Sequence, residues 1–381
     1  VPPSFWTPQP PTFSVPRQGF SPCRATDACQ GAVPEDAQRI HTSTTSGPSN
    51  WEQKKQQLPG TLRIPCTVRS LPFPDGILLG EPLSKYCSWG IGGPAKYLVH
   101  VKDMKYLKRA LWWATHCQEA VLVIGKGSNC LFDDRGFDGL VIVNQLDSIQ
   151  DLGEGAFRVG SGHQFNKLGM WAAGGGWAGL EFAAGIPGTV GGAAYMNAGC
   201  NGQEVGDVIE AATVLHADGT VENVSLDVGN LQSSHFGYRK SPFQDLPTTS
   251  VITSVTFRLS RDPSAFHRAV AGLQRRKATQ PLHLRTAGCV FRNPAAAPGE
   301  QMVSAGQLID QAGLKGTIIG GAAVSWQHAN FLTNQRGAKS ADMQRLIELV
   351  KCRVAEDSGV ELQEEVRFIP HSDAAVPAPG R

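Results

Sequence analysis

The stretch from Gly169 to Gly199, "GMWAAGGGWAGLEFAAGIPGTVGGAAYMNAG", holds ten glycines, one proline and a single charged residue, Glu181. Glycine loses more backbone freedom on folding than any other residue, so such a run is costly unless the bare backbone is used. Tight turns rarely need so many glycines with so little charge among them. The physical use of the run is close approach of backbone N–H groups to a ligand, with no Cβ in the way. A shorter glycine loop, "GKGSN" at 125–129, follows the apolar run "VLVI". It is neither a Walker A loop nor a GxGxxG fingerprint, and by itself it is a weak signal.

At 381 residues the chain is too long for one ordinary core, and two or three domains are expected. Apolar content of 41% with 18% charged residues is that of a globular chain. A formal charge of +2 points to neither a nucleic-acid nor a membrane partner. No apolar run approaches the about 20 residues that span a bilayer. The nine cysteines are scattered, odd in number and free of CxxC, as expected of thiols in a reducing compartment. No metal site is expected. Residues 1–64 differ from the rest. Their first thirty are rich in Pro, Ser and Thr, with one acid, Asp27, against Arg17 and Arg24. That composition predicts a disordered leader with the character of a transit peptide. Its prolines suit a plastid address better than a mitochondrial helix. The mature chain is then expected in the plastid stroma, and in the cytoplasm if the leader is not an address.

From about Leu79 the chain is patterned. Asp103 caps an expected helix running through Cys117. Val121–Gly125 and Gly139–Asn144 read as buried strands, a β-α-β order of α/β or α+β type. "FRVGSG" and "ATVLHADGTVENVSL" read as further strands, the latter a hairpin turning at Asp218-Gly219. Asp262-Pro263 reads as N-cap and first turn of a helix with Phe266, Ala269, Val270 and Leu273 inward. That helix ends in Arg275, Arg276 and Lys277, which either complement its dipole or bind an anion. Ala305, Leu308, Ile309 and Ala312 form a short helix closed by Gly313. Ser340–Ser358 forms the last long helix, with Leu346, Ile347, Val350 and Val354 inward. In the closing strand "EEVRFI", Val366 and Phe368 share one face and Glu365, Arg367 and Ile369 the other. The tail 372–381 is expected to be disordered. Cys289, in "TAGCVFRNP", is on residue type alone a small buried hydrophobe more often than a reactive group.

Taken together, "IGGPA" at 91–95, "GKGSN" at 125–129, "GIPGTVGGAAYMNAG" at 185–199, "FGYRKSPF" at 236–243, "AGCVFRNP" at 287–294, "LIDQAGLKG" at 308–316, "GGAAVS" at 320–325 and "LQEEVRFI" at 362–369 resemble one family in order. It is the UDP-N-acetylenolpyruvoylglucosamine reductase (UDP-N-acetylmuramate dehydrogenase) family of peptidoglycan synthesis. The resemblance covers about three quarters of the chain, from Cys87 to Ile369. It implies an α+β fold: a two-subdomain FAD-binding fold of the vanillyl-alcohol oxidase type, at 65–146 and 147–261, and a C-terminal α+β substrate-binding domain at 262–371. It implies non-covalent FAD against Gly125, Lys126, Gly127, Ser128 and Asn129 and against Gly185, Ile186, Pro187, Gly188 and Gly192. NADPH is the implied co-substrate, and UDP-N-acetylenolpyruvoylglucosamine the small molecule reduced. Another FAD-dependent oxidase on the same scaffold, or a non-catalytic flavin-binding remnant, is the alternative. The oligomeric state is not legible.

The resemblance also implies roles. Hydride addition at C3 of the enolpyruvyl group leaves charge at C2 and its carboxylate, and Arg239 matches the family arginine that stabilises it. Glu365 matches the active-site glutamate. Beside a carboxylate it helps only if protonated, which implies a raised pKa. Lys277 and Asn293 match substrate contacts, and His328 falls near the substrate diphosphate, with a structural histidine as its alternative. The proton donor to C2 is a serine in "AGSFFKNP"-type motifs, and here that slot holds Cys289. A thiol titrates near ~8.5, far below a serine hydroxyl, and is the better acid. An alkaline limb is therefore expected as it ionises. Only 37 residues lie between Arg239 and Lys277, which resembles the family's second type, lacking an extra substrate-closing loop.

Overall fold

The computed structural model describes residues 74–226, 236–295 and 303–371, all within one compact unit, 64–381. The expected leader at 1–64 and tail at 372–381 lie outside the described residues. The first layer is a four-stranded sheet in the order Leu78–Pro82, Pro94–Val101, Phe137–Asn144, Ala120–Ile124. Its last three strands are parallel. Parallel strands are covered on both faces, and these alternate accordingly. Leu140 and Ile142 meet α1 (Met104–His116) through Leu107, Ala110 and Leu111. Val141 and Val143 face the opposite core. Asp103 caps α1 as expected, its carboxylate accepting the Tyr106 N–H at 2.8 Å.

The second layer is a five-stranded antiparallel sheet in the order Val221–Ser225, Ile209–Leu215, Val251–Arg258, Ala156–Gly160, Ile149–Gly153. The Asp218-Gly219 hairpin forms where expected. α2 (Phe165–Gly174) and α3 (Val190–Tyr195) close this sheet over Phe157, Val159, Val255 and Phe257. The glycine run is thus partly helical. Gly169 serves packing: a Cβ there would meet the Ala184 amide at 2.7 Å and the Leu180 carbonyl at 2.8 Å.

α4 (Ala265–Thr279) starts two residues later than its sequence suggests. Asp262 accepts the Ser264 N–H at 2.8 Å in a local turn, and Ser264 is the cap residue. Phe266 points outward, 44% exposed, while Ala265 and Ala269 are fully buried. α4 packs on α2 and on the 3-10 turn Glu181–Gly185 rather than at the head of the substrate-binding domain. Glu181, the one charge of the glycine run, is buried and paired to Arg268 at 2.5 Å, which ties the run to α4.

The third layer is an antiparallel sheet in the order Thr286–Cys289, Phe331–Asn334, Ala322–Val324, Ile318–Ile319, flanked by α5 (Ala305–Gln311) and α6 (Ser340–Ser358). The inward residues of α6 are those its spacing predicts. The closing strand spans only Arg367–Ile369 and runs parallel to Cys130–Phe132. The expected alternation fails there, because Val366 and Ile369 are both buried. The cause is a change of partner: Glu365 donates its N–H to the Val290 carbonyl at 2.7 Å, and only from Arg367 does the chain join Cys130–Phe132.

The first and third layers consequently share one core, in which Leu83, Trp89, Phe132 and Phe137 pack with Val290, Phe291, Leu332 and Leu346. Trp89 is its keystone, with no exposed surface, its indole N–H on the Leu332 carbonyl at 2.8 Å and its own carbonyl on the Asn334 amide at 2.8 Å. Trp89→Ala is expected to cost about 3–5 kcal/mol of stability. The check is a lower guanidinium midpoint, and an unchanged midpoint contradicts it.

Candidate active site

The two glycine segments meet. A Cβ on Gly125 would collide with the Thr189 side chain, and the Ser128 hydroxyl donates to the Pro187 carbonyl at 3.4 Å. Gly185 is crowded from the other side, where a Cβ would meet the Arg276 side chain at 2.5 Å. A Cβ on Gly188, whose φ is +120°, would press on the Ser128 hydroxyl at 3.0 Å, while Gly192 has only an ordinary contact with Thr189 at 3.6 Å. Among the described residues, the N–H groups of Lys126, Gly127, Ser128 and Asn129 find no protein acceptor. Four bare backbone donors in sequence form a nest for an anion. Lys126 adds an ammonium that has no carboxylate partner among the described residues, and its pKa is held down by burial and by nearby Lys167. Two like charges beside a nest of donors call for an anion, and a dinucleotide pyrophosphate fits. Asn129 departs from its expected part. Its side-chain amide donates to the Glu365 carbonyl at 3.0 Å, so only its backbone is offered to a cofactor.

Arg239, Cys289 and Glu365 converge. Arg239 Nε lies 2.5 Å from Glu365 Oε1, both side chains largely buried. Burial pushes the Glu365 carboxyl above its ordinary range, and the Arg239 guanidinium pulls it back only in part. Cys289 reaches the pair through a bulge. The ladder to Phe331–Asn334 slips between Thr286 and Cys289, and Gly288 takes a φ of +82° that favours glycine. Cys289 lies near the pair, since Glu365 and Arg239 both act on its thiol and the Glu365 N–H binds the adjoining Val290 carbonyl. Burial foremost, then Glu365, push the Cys289 thiol up to about 12, against the pull of Arg239 and Arg276. The thiol stays protonated throughout the neutral range. The alkaline limb expected of an ordinary thiol is accordingly displaced beyond working pH.

Three further arginines flank the pair. Arg276 rests on Gly185, reaches the Cys200 sulfur at 3.8 Å and acts on the Cys289 thiol. Arg292 acts on Glu365. Arg367 stacks on Tyr195 with 5.1 Å to the ring centre. The Nε of each is buried without a hydrogen-bond partner among the described residues. Sequence reasoning singled out Lys277 instead. Lys277 is exposed on α4, while Arg276 continues the inward row of Ala265, Ala269 and Leu273. The helical period was the signal that distinguishes the two neighbours.

Asn293 sits beside Arg239's neighbour, donating its backbone N–H to the Tyr238 hydroxyl at 3.3 Å. Its side-chain oxygen accepts the Ala305 N–H at 3.1 Å, capping α5. His328 lies against Gly306 of α5 and packs on Phe331 at 4.7 Å. Burial foremost, then Lys315, lower its pKa, so the ring is neutral. Among the described residues no group of His, Cys, Asp and Glu is arranged to hold a metal ion, and no helix is long and apolar enough to cross a membrane.

Comparison with known proteins agrees with this geometry. Residues 95–225 match the FAD binding domain family, and residues 280–369 match the UDP-N-acetylenolpyruvoylglucosamine reductase C-terminal domain. The chain is 43% identical over 289 residues to the UDP-N-acetylenolpyruvoylglucosamine reductase of Protochlamydia amoebophila (strain UWE25), covering 76% of this chain and 92% of that one. It is 41% identical over 299 residues to the Chlamydia felis (strain Fe/C-56) reductase, covering 78% and 96%. The crystal structure of UDP-N-acetylenolpyruvylglucosamine reductase from Thermus caldophilus superposes with a TM-score of 0.62 at 36% identity, covering 77% of this chain and 98% of that one. With an FAD-binding half, a matching C-terminal domain and relatives matched over nearly their whole length, the chain belongs to the UDP-N-acetylenolpyruvoylglucosamine reductase family of FAD-dependent oxidoreductases.

Proposed function

We propose that this enzyme reduces UDP-N-acetylenolpyruvoylglucosamine to UDP-N-acetylmuramate with NADPH, and that Arg239, Cys289 and Glu365 serve the second half of that reaction. The observation that carries the reading is the arginine set. Arg239 and Arg292 act on the Glu365 carboxylate, Arg276 acts on the Cys289 thiol and Arg367 lies two residues on from Glu365, and the last three keep a buried Nε with no acceptor among the described residues. Buried donors left unpaired are costly, so the site is built for a polyanion. A nucleotide diphosphate with a carboxylate supplies it, and NADPH, also a polyanion, suits the same cations in turn. FAD, when bound to the nest, supplies the hydride chemistry between NADPH and C3 of the enolpyruvyl group.

The chain's own residues do the rest. Arg239 is a fixed donor where charge develops on the carboxylate. Burial raises the Glu365 pKa and an incoming carboxylate raises it further, which favours the protonated form that can donate a hydrogen bond to the substrate. Cys289 holds its proton on Sγ at neutral pH and releases it to C2. A covalent flavin tether through Cys130 is disfavoured, since burial pushes that thiol up to about 11.

The half-reactions separate these roles. NADPH is expected to bleach the yellow wild-type protein, and the enolpyruvyl substrate to restore its colour without oxygen. Cys289→Ala leaves bleaching nearly unchanged and slows the return of colour by about 10² or more, the scale of a lost general acid. Cys289→Ser retains much of the activity. A colourless protein that takes up no FAD contradicts the assignment, and wild-type reoxidation in Cys289→Ala removes Cys289 from it.

The raised thiol gives an independent check. Between pH 7 and 9, iodoacetamide is expected to label exposed Cys352 well before Cys289. Mass spectrometry of the two peptides reads it, and equal labelling contradicts a protonated, buried donor.

We further propose a plastid location, supported only by the acid-poor, Pro- and Ser-rich composition of the first thirty residues. A fusion of residues 1–64, given a start methionine, to a fluorescent protein is expected to enter plastids of plant cells. Fluorescence confined to the cytosol rejects it.

A further inference from the structure

Each cofactor segment is followed by an asparagine whose side chain leaves the cofactor nest and binds the backbone beneath one partner of the Arg239–Glu365 pair. We propose that Asn129 and Asn197 are positioning residues that fix this pair from the two cofactor segments. For its assignment to one half-reaction the proposal rests on the function proposed above.

Asn129 closes "GKGSN". Its side-chain amide donates to the Glu365 carbonyl at 3.0 Å, and its own carbonyl accepts the Arg367 N–H at 3.1 Å. With the Glu365 N–H on Val290, the Glu365 backbone is held on both sides.

Asn197 follows α3, which grows out of the second segment. It has no exposed surface and a φ of +41°. Its side-chain oxygen accepts the Gly206 N–H at 2.8 Å, and its amide donates to the Gly237 carbonyl at 2.9 Å. Gly237 and Lys240 exchange both backbone hydrogen bonds, at 3.1 and 2.9 Å, closing a tight turn that carries Arg239 at a φ of +57°. Left-handed backbone is unfavourable for arginine, so this turn must be held from outside. The holding groups are Asn197 and Gln244. Gln244 donates to the Arg239 carbonyl at 3.0 Å and to the Tyr195 carbonyl, at the end of α3, at 2.8 Å. Ser241 donates to the same Tyr195 carbonyl at 2.7 Å.

Position 197 needs one donor, one acceptor and tolerance of positive φ in a short side chain, which asparagine supplies. The outcome is an ion pair with its two ends pinned to two different segments of the cofactor nest. A shift of either segment changes the Arg239–Glu365 separation.

The test is Asn197→Asp, which keeps the acceptor and the tolerance of positive φ and, at pH 8, replaces the donor with a charged carboxylate oxygen facing the Gly237 carbonyl. FAD retention and bleaching by NADPH are expected within about threefold of wild type. Return of colour with the enolpyruvyl substrate at pH 8 is expected to slow by 10- to 100-fold, the range for misplaced catalytic geometry. The deficit relative to wild type should shrink toward acid pH, because a buried Asp protonates readily and its hydroxyl can then donate to Gly237. A defect that loosens the whole fold lowers FAD retention and bleaching together with reoxidation. Gln244→Met should show the same split between half-reactions without the acid recovery, and it decides the matter if Asn197→Asp does not fold. Phenylglyoxal labelling of Arg239, mapped by mass spectrometry, needs no substrate and is expected to quicken several-fold in either variant as the turn loosens. Wild-type labelling together with wild-type reoxidation overturns the proposal, as does equal loss of both half-reactions with loss of FAD. If the wild-type protein itself is not reoxidised by the sugar nucleotide, the functional reading falls, and the labelling rate still decides this inference.

Discussion

A guanidinium and a carboxylate held 2.5 Å apart in a largely buried site set the terms for everything around them. Such a pair is weak evidence of stability, because taking two charges out of water costs about as much as their attraction returns. Its worth here is geometric. Arg239 sits on a turn of the second layer, and Glu365 on the segment that leaves the third layer for the first. The pair therefore spans elements that share no sheet. The bulge at Gly288, the left-handed turn at Arg239 and the switch of partners at Arg367 all serve to bring these ends within reach.

Charge balance makes the site selective. The Glu365 carboxylate is acted on by two guanidinium groups, Arg239 and Arg292, and burial still raises its pKa. The Cys289 thiol stays protonated because burial and Glu365 outweigh Arg239 and Arg276. A neutral ligand would leave the arginine donors unmet. The same logic holds at the nest, where backbone N–H groups and two lysines await an anion.

The legible parts of the sequence were those governed by local rules. α1 and α6 follow from a cap or a clean helical period, and the Asp218-Gly219 hairpin from its turn chemistry. The start of α4 was misplaced because Asp262 uses its cap-like side chain for a turn before the helix. The helices inside the glycine run were hidden because glycine and alanine leave no apolar period to read, and only packing against the second sheet selects the helical form. At the site, the triad of Arg239, Cys289 and Glu365 emerged from motifs. The flanking arginines did not, since an arginine's burial is decided by partners far away in sequence. Arg276 was also missed, although its helical phase separates it from Lys277.

The pairing of Cys130–Phe132 with Arg367–Ile369 carries a temporal consequence. Asn129 and Glu365 are 236 residues apart, so the Gly125–Asn129 loop is braced by a segment that the ribosome delivers long after it. Contacts of such long range form late and slow the search for the native state. The first two layers can begin to assemble during synthesis, but the loop gains its brace only once Glu365 has emerged. A chain that stops short of Glu365 lacks the brace of that loop together with one half of the buried ion pair.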